Sequence, residues 1–381
     1  MEIRCDNPFL PIDIIINILK RLPVKSIVRF QCVLKEWKDL LESPSFIAEH
    51  ARHSAHERPL LLLHEYSFKR GCLSISLLNH KMETVEVLSI PSIDPFRCNW
   101  RIIGSCNGLL CVKVHRDQAW PRSFLWLWNP VIKKVREIPL TTNDPMGRCE
   151  YGFGFCGIVN DYKIVKFYKQ KIRKKKKDQH FHLIKYDRVE VYSLSTGSWK
   201  ELEFQLRAIE HAEILSQAVN TDGTISWLLL SIRNISPIIV SFDIATEVFR
   251  FTQITLDYGS FLGLDLYINK QNVHYVTEEN SGSRFIGVWV AEEVASESRK
   301  SLRCTQKYRI GPRSGGLRPT CIWGSEIIFR DTKFKTQMED PRCILYLFNL
   351  ITNAWRTFNC SADCDWCDVF NYEESLVSLS V

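Results

Sequence analysis

"VEVYSLSTGSWKELEF", Val189 to Phe204, decides the fold. Apolar and polar residues alternate up to Leu194, a short polar turn around Gly197 follows, and alternation returns from Trp199. With period two, successive side chains take opposite faces, so each half reads as a strand with one face to bury. The polar turn folds the second strand back on the first as a hairpin. The same pattern recurs as "LSISLLNHKMETVEVLSIP" from Leu73, "FLWLWNPVIKKVREIPL" from Phe124, "IVSFDIATEVFRFTQI" from Ile239 and "LYLFNLITNAWRTFNC" from Leu345. A looser copy with a longer turn, "FIGVWVAEEVASESRKSLRCTQKYRI", starts at Phe285.

A second unit lies between these hairpins. It appears as "IIGSCNGLLCV", "YGFGFCGIVNDYKIVKF", "QAVNTDGTISWLL", "LDLYINKQNVHYV", "PTCIWGSEIIFR" and "CDVFNYEESLVSLS". Each is a strand, a turn rich in Gly, Asn or Asp, and another strand. The pair of units recurs at roughly 50 to 60 residues, near the period of four-stranded propeller blades. An all-β, six-bladed, propeller-like domain is therefore expected, with "SLVSLS" at the C-terminus completing the first blade and hiding its edge. An open sandwich or two stacked β domains is the other architecture with this signature.

Ahead of the repeats stands "LPIDIIINILKRLPVKSIVRFQCVLKEWKDLLESPSF", Leu10 to Phe46. Pro11 suits a first helical turn, where its missing N–H costs nothing. Ile14, Ile15, Ile18, Leu19 and Leu22 recur at helical spacing, Pro23 ends that helix, and Ser26 can cap a second with Ile27, Phe30 and Leu34. "KEWKDLL" makes a third. A small all-α head of three helices is expected, marginal alone and suited to covering another surface. The expected division is residues 5–50 for the head, 51–59 for a linker and 60–381 for the β domain.

The chain has 381 residues, 45% of them hydrophobic and 24% charged, an ordinary globular balance. No run of 18 apolar residues occurs, so no membrane span is expected, and Glu2, Asp6 and Pro8 do not open a signal peptide. The fourteen Cys are scattered, many within apolar strand-like runs, as free buried thiols in a reducing compartment would be. The net charge of +7 equals the seven bases of "KQKIRKKKK": Lys169, Lys171, Arg173, Lys174, Lys175, Lys176 and Lys177. Like charges so close repel, so an extended mobile loop is expected there. It reads as a solvated loop, a nuclear-import signal or a contact for an acidic partner. Nucleic acid is disfavoured, because no aromatic residues interleave the bases and no reading helix follows.

No catalytic site emerges. "GPRSGG" at Gly311 lacks the Lys-Ser/Thr ending of a phosphate loop, and "GFGFCG" at Gly152 lacks both the dinucleotide spacing and a βαβ context. Close strand packing explains the latter better. "CSADCDWC" places Cys360, Cys364 and Cys367 together, but a structural zinc needs four ligands and no fourth is signalled nearby, so no metal is expected. Cys111 has no base in view. No cofactor is expected.

The ordered set of "LPIDIIINILKRLP…CVLKEW", "GSCNGLLC", "LWNPVIKKVREIP", "YGFGFCGIVNDYKIVKF", "VEVYSLSTGSWKEL" and "YEESLVSL" resembles plant F-box proteins with an F-box-associated, kelch-like β-propeller domain, a group that includes the S-locus F-box proteins. The resemblance covers nearly the whole chain. It implies a non-enzymatic substrate receptor of an SCF (Skp1–cullin–F-box) E3 ubiquitin ligase. Its head docks on a Skp1-like adaptor, and through that on cullin 1 and a RING subunit, while the β domain recruits a protein substrate. For the S-locus group the implied substrate is a secreted-type self-incompatibility ribonuclease.

The motif positions carried over are Leu10, Pro11, Leu22, Pro23, Val33 and Trp37, all expected at the Skp1 contact. Leu34 departs from the pattern, since relatives often have Ser there, and so does the Lys-rich insertion. A cytoplasmic location, with the nucleus second, goes with this reading. An adaptor-independent propeller scaffold and a propeller enzyme are the competing functions; the enzyme would need carboxylates or a metal converging on the central cavity.

Overall fold

Four helices stand first among the described residues: α1 (Ile12–Leu19), α2 (Val24–Phe30), α3 (Lys35–Leu41) and α4 (Pro44–Ser54). The computed structural model describes residues 11–54, 60–67, 69, 72–89, 98–116, 122–139, 141, 149–176, 179–203, 212–214, 217–231, 237–255, 261–269, 272–280, 284–294, 301–313, 317–331 and 343–379. The expectation of three helices is corrected by α4. Its start is written in "SPS": the Ser43 hydroxyl accepts the Phe46 N–H at 3.3 Å, and Pro44 fills the first turn. Ser26 is not a cap. It lies inside α2, where the Pro23 carbonyl accepts the Ser26 and Ile27 N–H groups at 2.8 and 3.2 Å.

The strands follow the period-two runs. β1 (Leu60–Ser67), β2 (Cys72–Leu78) and β3 (Thr84–Leu88) form the first antiparallel sheet. β4 (Cys98–Cys106), β5 (Leu109–Arg116), β6 (Arg122–Asn129) and β7 (Lys134–Ile138) form the second, and β8 (Cys149–Cys156), β9 (Asp161–Lys176), β10 (Gln179–Ser193) and β11 (Ser198–Leu202) the third. A nine-stranded sheet comprises β12 (Ala212–Ile214), β13 (Val219–Thr221), β14 (Thr224–Ser231), β15 (Pro237–Asp243), β16 (Val248–Thr255), β17 (Phe261–Asn269), β18 (Asn272–Asn280), β19 (Arg284–Val294) and β20 (Ser301–Arg313). β21 (Leu317–Trp323), β22 (Glu326–Asp331), β23 (Ile344–Asn349) and β24 (Trp355–Asn359) make the fifth, and β25 (Trp366–Tyr372) returns to pair with β1.

Among the described residues the domain thus has five blades, not six. β16 and β20 meet in parallel, Ile254 opposite Leu302 and Thr255 opposite Arg303, which fuses two expected blades into one sheet. β20 runs 13 residues, and its N-terminal end satisfies edge groups of β16 that would otherwise face solvent. Closure is also earlier than expected. β25 completes the first sheet with Leu62 opposite Phe370 and His64 opposite Asp368, whereas residues 373–379 lie beyond the strand. The inner strands β25, β4, β8, β13, β17 and β21 neighbour one another in that order and back to β25, closing a ring.

The turns share one chemistry. Asn129, Asp243 and Asn349 each accept a backbone N–H two or three residues on through Oδ1, and Lys133, Glu247 and Asn353, four residues after them, take positive φ of 55 to 56°. Ser193 and Gly197 repeat the arrangement, which is why these four hairpins align in sequence. The cores lie between facing sheets: Trp100, Val112 and Trp128 pack on Leu62, Ile75 and Tyr372, and Phe167, Val191 and Tyr186 pack on Trp227 and Phe242. The basic run is no loop up to Lys176. Its backbone is the outer half of β9, paired with β10 from Tyr186 opposite Lys169 to Gln179 opposite Lys176.

Candidate functional site

Three places gather chemistry: the helical head, the centre of the ring, and a cysteine cluster at the ring's closure. In the head, Leu19, Val24, Ile27, Leu41 and Phe46 are buried together with Leu376, and half-buried Val131 of the β6–β7 turn packs on them. Lys25 adds ion pairs to Glu86 at 2.6 Å and Glu374 at 3.3 Å. The head is thus seated on the β domain along one side. The other side is apolar and uncovered: Ile14 is 44% exposed, Ile18 48%, Val33 58% and Leu34 52%. Ile14 and Ile18 sit one turn apart on α1, on a face separate from that of buried Leu19. A helix apolar on two faces has one face for its own core and one for a partner.

The expected contact residues divide accordingly. Pro11, Pro23 and Val33 are exposed. Leu22 and Trp37 are half-buried against the helical core, with Trp37 edge-on to Phe30 at 5.6 Å. Leu10 lies outside the described residues. Helical spacing places Ile14 and Ile18 on α1 without separating core from contact; the second apolar stripe of α1 is the one signal of their exposure. Leu34 is the N-cap of α3, with extended φ and ψ of −144° and 150° and no side-chain cap.

The ring encloses a cavity of about 770 Å³ lined by β4, β8, β13, β21 and β25 with side chains from β5, β12, β14 and β22, the size of a small-ligand or peptide-anchor pocket. Arg101, Lys113, Arg318 and Arg330 outnumber Glu150 and Asp368 on its wall. Arg330 Nη1 donates to Asp368 Oδ1 at 3.1 Å and to the Cys367 carbonyl at 2.6 Å, while Gln217 Nε2 donates to Asp368 Oδ2 at 3.2 Å. Burial holds the Asp368 carboxyl above its usual range, against the opposing pull of Arg330. Glu150 is tied to Lys169 Nζ at 3.3 Å. Among the described residues, the two acids of the wall are therefore committed to basic partners.

Lys169 also reaches Glu213 at 2.9 Å, which makes this first base of the run an internal ion-pair partner of the third and fourth sheets. Lys171, Arg173, Lys174, Lys175 and Lys176 lie on β9 by backbone, and Lys177 falls outside the described residues. Cys111 is fully buried among Leu127, Ile164 and Leu109, and burial pushes its thiol upward, opposite to what a nucleophile requires. The "GFGFCG" glycines serve packing: a Cβ on Gly152 would lie 2.2 Å from the Trp227 ring.

"CSADCDWC" proves to be three quarters of a cluster. Cys343, just ahead of β23, joins Cys360, Cys364 and Cys367, and all four sulfurs lie within 4.8 Å of one another. Hairpin pairing brings Cys343 in, for the Cys360 N–H donates to the Cys343 carbonyl at 3.0 Å directly beyond the Ile344–Asn359 pair. A cysteine immediately before one hairpin strand and another immediately after its partner was the available signal.

A helical head seated on a closed ring of sheets defines the class: a small helical domain joined to a β-propeller. The chain belongs to the F-box associated beta propeller domain family, which matches residues 62–379, and the F-box domain family matches residues 8–48. An F-box/kelch-repeat protein of Arabidopsis thaliana is 28% identical over 63% of this chain and 64% of its own length. Another F-box protein of the same plant is 27% identical over 77% of each. A solved lectin structure from Aleuria aurantia overlaps 78% of this chain and 91% of its own at 8% identity and a TM-score of 0.42, too low a likeness to bear on site or function.

Proposed function

We propose that the chain is the substrate-recognition subunit of an SCF ubiquitin ligase, docking a Skp1-type adaptor on its head and a protein substrate on its β domain. The observation that carries this is the two-sided α1, with Leu19 sealed inward while Ile14 and Ile18, and Val33 on the following joint, face out. Pro11, Pro23 and Val33 join Ile14 and Ile18 as contacts; Leu22 and Trp37 hold the shape beneath them. The head occupies residues 5–50, α4 runs on into the 51–59 segment, and 60–381 recruits substrate. The subunit contributes proximity rather than transfer chemistry, raising the local concentration of substrate near the loaded conjugating enzyme. Its proposed compartment is the cytoplasm, and the nucleus where the basic hairpin is read as an import signal.

Titrating purified Skp1 into the full chain tests the reading. The expected result is a Kd at or below about 1 μM. A joint Ile14→Ser and Ile18→Ser change should weaken binding by about tenfold or more, near 1.4 kcal/mol, with the thermal midpoint unmoved. A folded wild-type chain that fails to bind Skp1 overturns the reading in favour of an adaptor-free scaffold. A self-incompatibility ribonuclease is the substrate class that goes with the S-locus resemblance. Affinity capture that recovers substrates but no such ribonuclease removes it.

A further inference from the structure

We propose that Cys343, Cys360, Cys364 and Cys367 form a tetrathiolate site for a structural zinc ion at the seam where the propeller closes. Three independent features converge on it. The first is geometry. Around a zinc with Zn–S bonds of about 2.3 Å, tetrahedral sulfurs stand about 3.8 Å apart. Here Cys360 and Cys367 sulfurs are 3.8 Å apart, Cys343 and Cys367 are 3.0 Å apart, and no pair of the four exceeds 4.8 Å. All four are unbridged thiols. The second is spacing. Cys364 and Cys367 are two residues apart in the C-x2-C sense and Cys360 and Cys364 form C-x3-C, both within the range of zinc ligands on one loop, while Cys343 completes the set from the neighbouring hairpin.

The third is the surroundings. Cys360, Cys364 and Cys367 are buried within Leu61, Leu63, Ile328, Leu345 and Val369, an apolar shell against which half-buried Cys343 packs. The loop carrying the ligands is itself held. Glu65 Oε1 accepts from Ser361 N at 2.8 Å and Ser361 Oγ at 3.0 Å, and the Asp365 N–H donates to the Tyr66 carbonyl at 2.9 Å. Zinc with four thiolates carries two net negative charges. The Arg330 guanidinium, 2.6 Å from the Cys367 carbonyl, offsets part of that charge beside the site. Binding replaces four S–H protons with four S–Zn bonds and releases the protons to solvent, with no change of oxidation state. Since Cys343 and Cys360 flank the β23–β24 hairpin of the fifth sheet and Cys367 lies on β25, the ion staples the last sheet to the closing strand.

Metal analysis of the full chain, purified reduced from zinc-supplemented cells, tests the proposal. One zinc per chain is expected. After chelation and exchange, cobalt should give the thiolate-to-metal charge transfer and strong visible bands of a four-sulfur tetrahedral site. Cys364→Ser should alter that spectrum, and the double Cys364→Ser, Cys367→Ser variant should drop the metal below about a tenth of an equivalent. Chelation of the wild type should lower its thermal midpoint by roughly 5 °C or more. The cobalt spectrum of the wild type stands even where a variant fails to fold. Three results each overturn the proposal: a folded, reduced wild type without zinc or a cobalt thiolate spectrum; zinc unaffected by the double variant; or a Cys343–Cys367 disulfide recovered after trapping in cells, the competing use of the 3.0 Å pair.

Discussion

Asn129 Nδ2 donates to the Ser375 carbonyl at 2.9 Å, a bond between residues 246 apart that ties the second sheet to the chain's last segment. The same nitrogen donates to the Val377 carbonyl at 3.0 Å, and Oδ1 accepts the Val131 N–H at 3.1 Å. Asn129 is fully buried, so Asn129→Ala strands two carbonyls and an amide. Leaving buried polar groups unsatisfied costs about 1–3 kcal/mol each at the high end, and partial hydration tempers the sum to about 2–4 kcal/mol. The tail between these contacts also places Leu376 in the helical core. Denaturant unfolding should show that loss, and limited proteolysis should cut both near the C-terminus and near the head. A loss under about 0.5 kcal/mol would mean that the tail is held by its apolar residues alone.

Gly152→Ala should destabilise more than an ordinary glycine replacement in a strand. The new Cβ would stand 2.2 Å from Trp227 Cζ2 and 2.7 Å from Ile225 Cγ2, both on buried residues of the adjoining sheet. Trp227 has little freedom to yield, because its Nε1 donates to the Tyr151 carbonyl at 3.2 Å. Overpacking of this kind costs about 1–3 kcal/mol, readable as a lowered thermal midpoint and a red-shifted tryptophan emission. An unchanged midpoint would mean that the third and fourth sheets separate without penalty.

Leu34→Ser should stabilise the head. Leu34 occupies the N-cap of α3 with cap-like extended backbone but no oxygen to offer the first-turn N–H groups. Serine supplies one, at a gain of about 1 kcal/mol, and removes an exposed apolar side chain. Local hydrogen exchange across residues 35–41 should slow by about fivefold. Skp1 affinity should change by less than threefold, whereas Val33→Asp should cut it about tenfold or more. Slower exchange together with lost affinity would instead make Leu34 itself a docking anchor.

The hairpins were legible because their period and their turns agree: Asn129, Asp243 and Asn349 open the same turn, and each pattern is contained within about 16 residues. The fused sheet was not, since it depends on two parallel residue pairs between β16 and β20 that leave no local periodicity. The fourth helix was written in Ser43 and Pro44, yet its polar remainder, "AEHARHS", carries no strong apolar stripe. Cys343 escaped for a third reason, as only antiparallel pairing of β23 with β24 makes it a neighbour of Cys360. Within the head, spacing distinguishes helix from strand but not which of two apolar stripes on α1 turns inward. That choice is made by Leu376 and Val131, residues far away in the chain.

Acid should destabilise the protein through His64. Its ring is fully buried on β1, stacked on Trp100 at 4.6 Å and edge-on to Trp366 at 5.6 Å, with no hydrogen-bond partner for either nitrogen among the described residues. Burial first, and the positive charge of Arg101 second, push its pKa down to about 3. Asp368, its pairing neighbour on β25, is occupied by Arg330 and gives the imidazolium little help. The unfolded chain protonates His64 near pH 6.5 and the folded chain does not, so below that pH the unfolded state binds the extra proton. Stability is therefore whole above about pH 6.5 and falls as pH drops toward 3. Between pH 7 and 5.5 the loss from this one group is about 1.3 kcal/mol. His64→Phe keeps the stacking without a titrating ring. Its urea midpoint at pH 7 should match or exceed the wild type, and the difference between the two proteins should widen by that amount at pH 5.5. Parallel pH profiles would show that a proton reaches His64 in the folded state, and that the two tryptophans do not seal it from water.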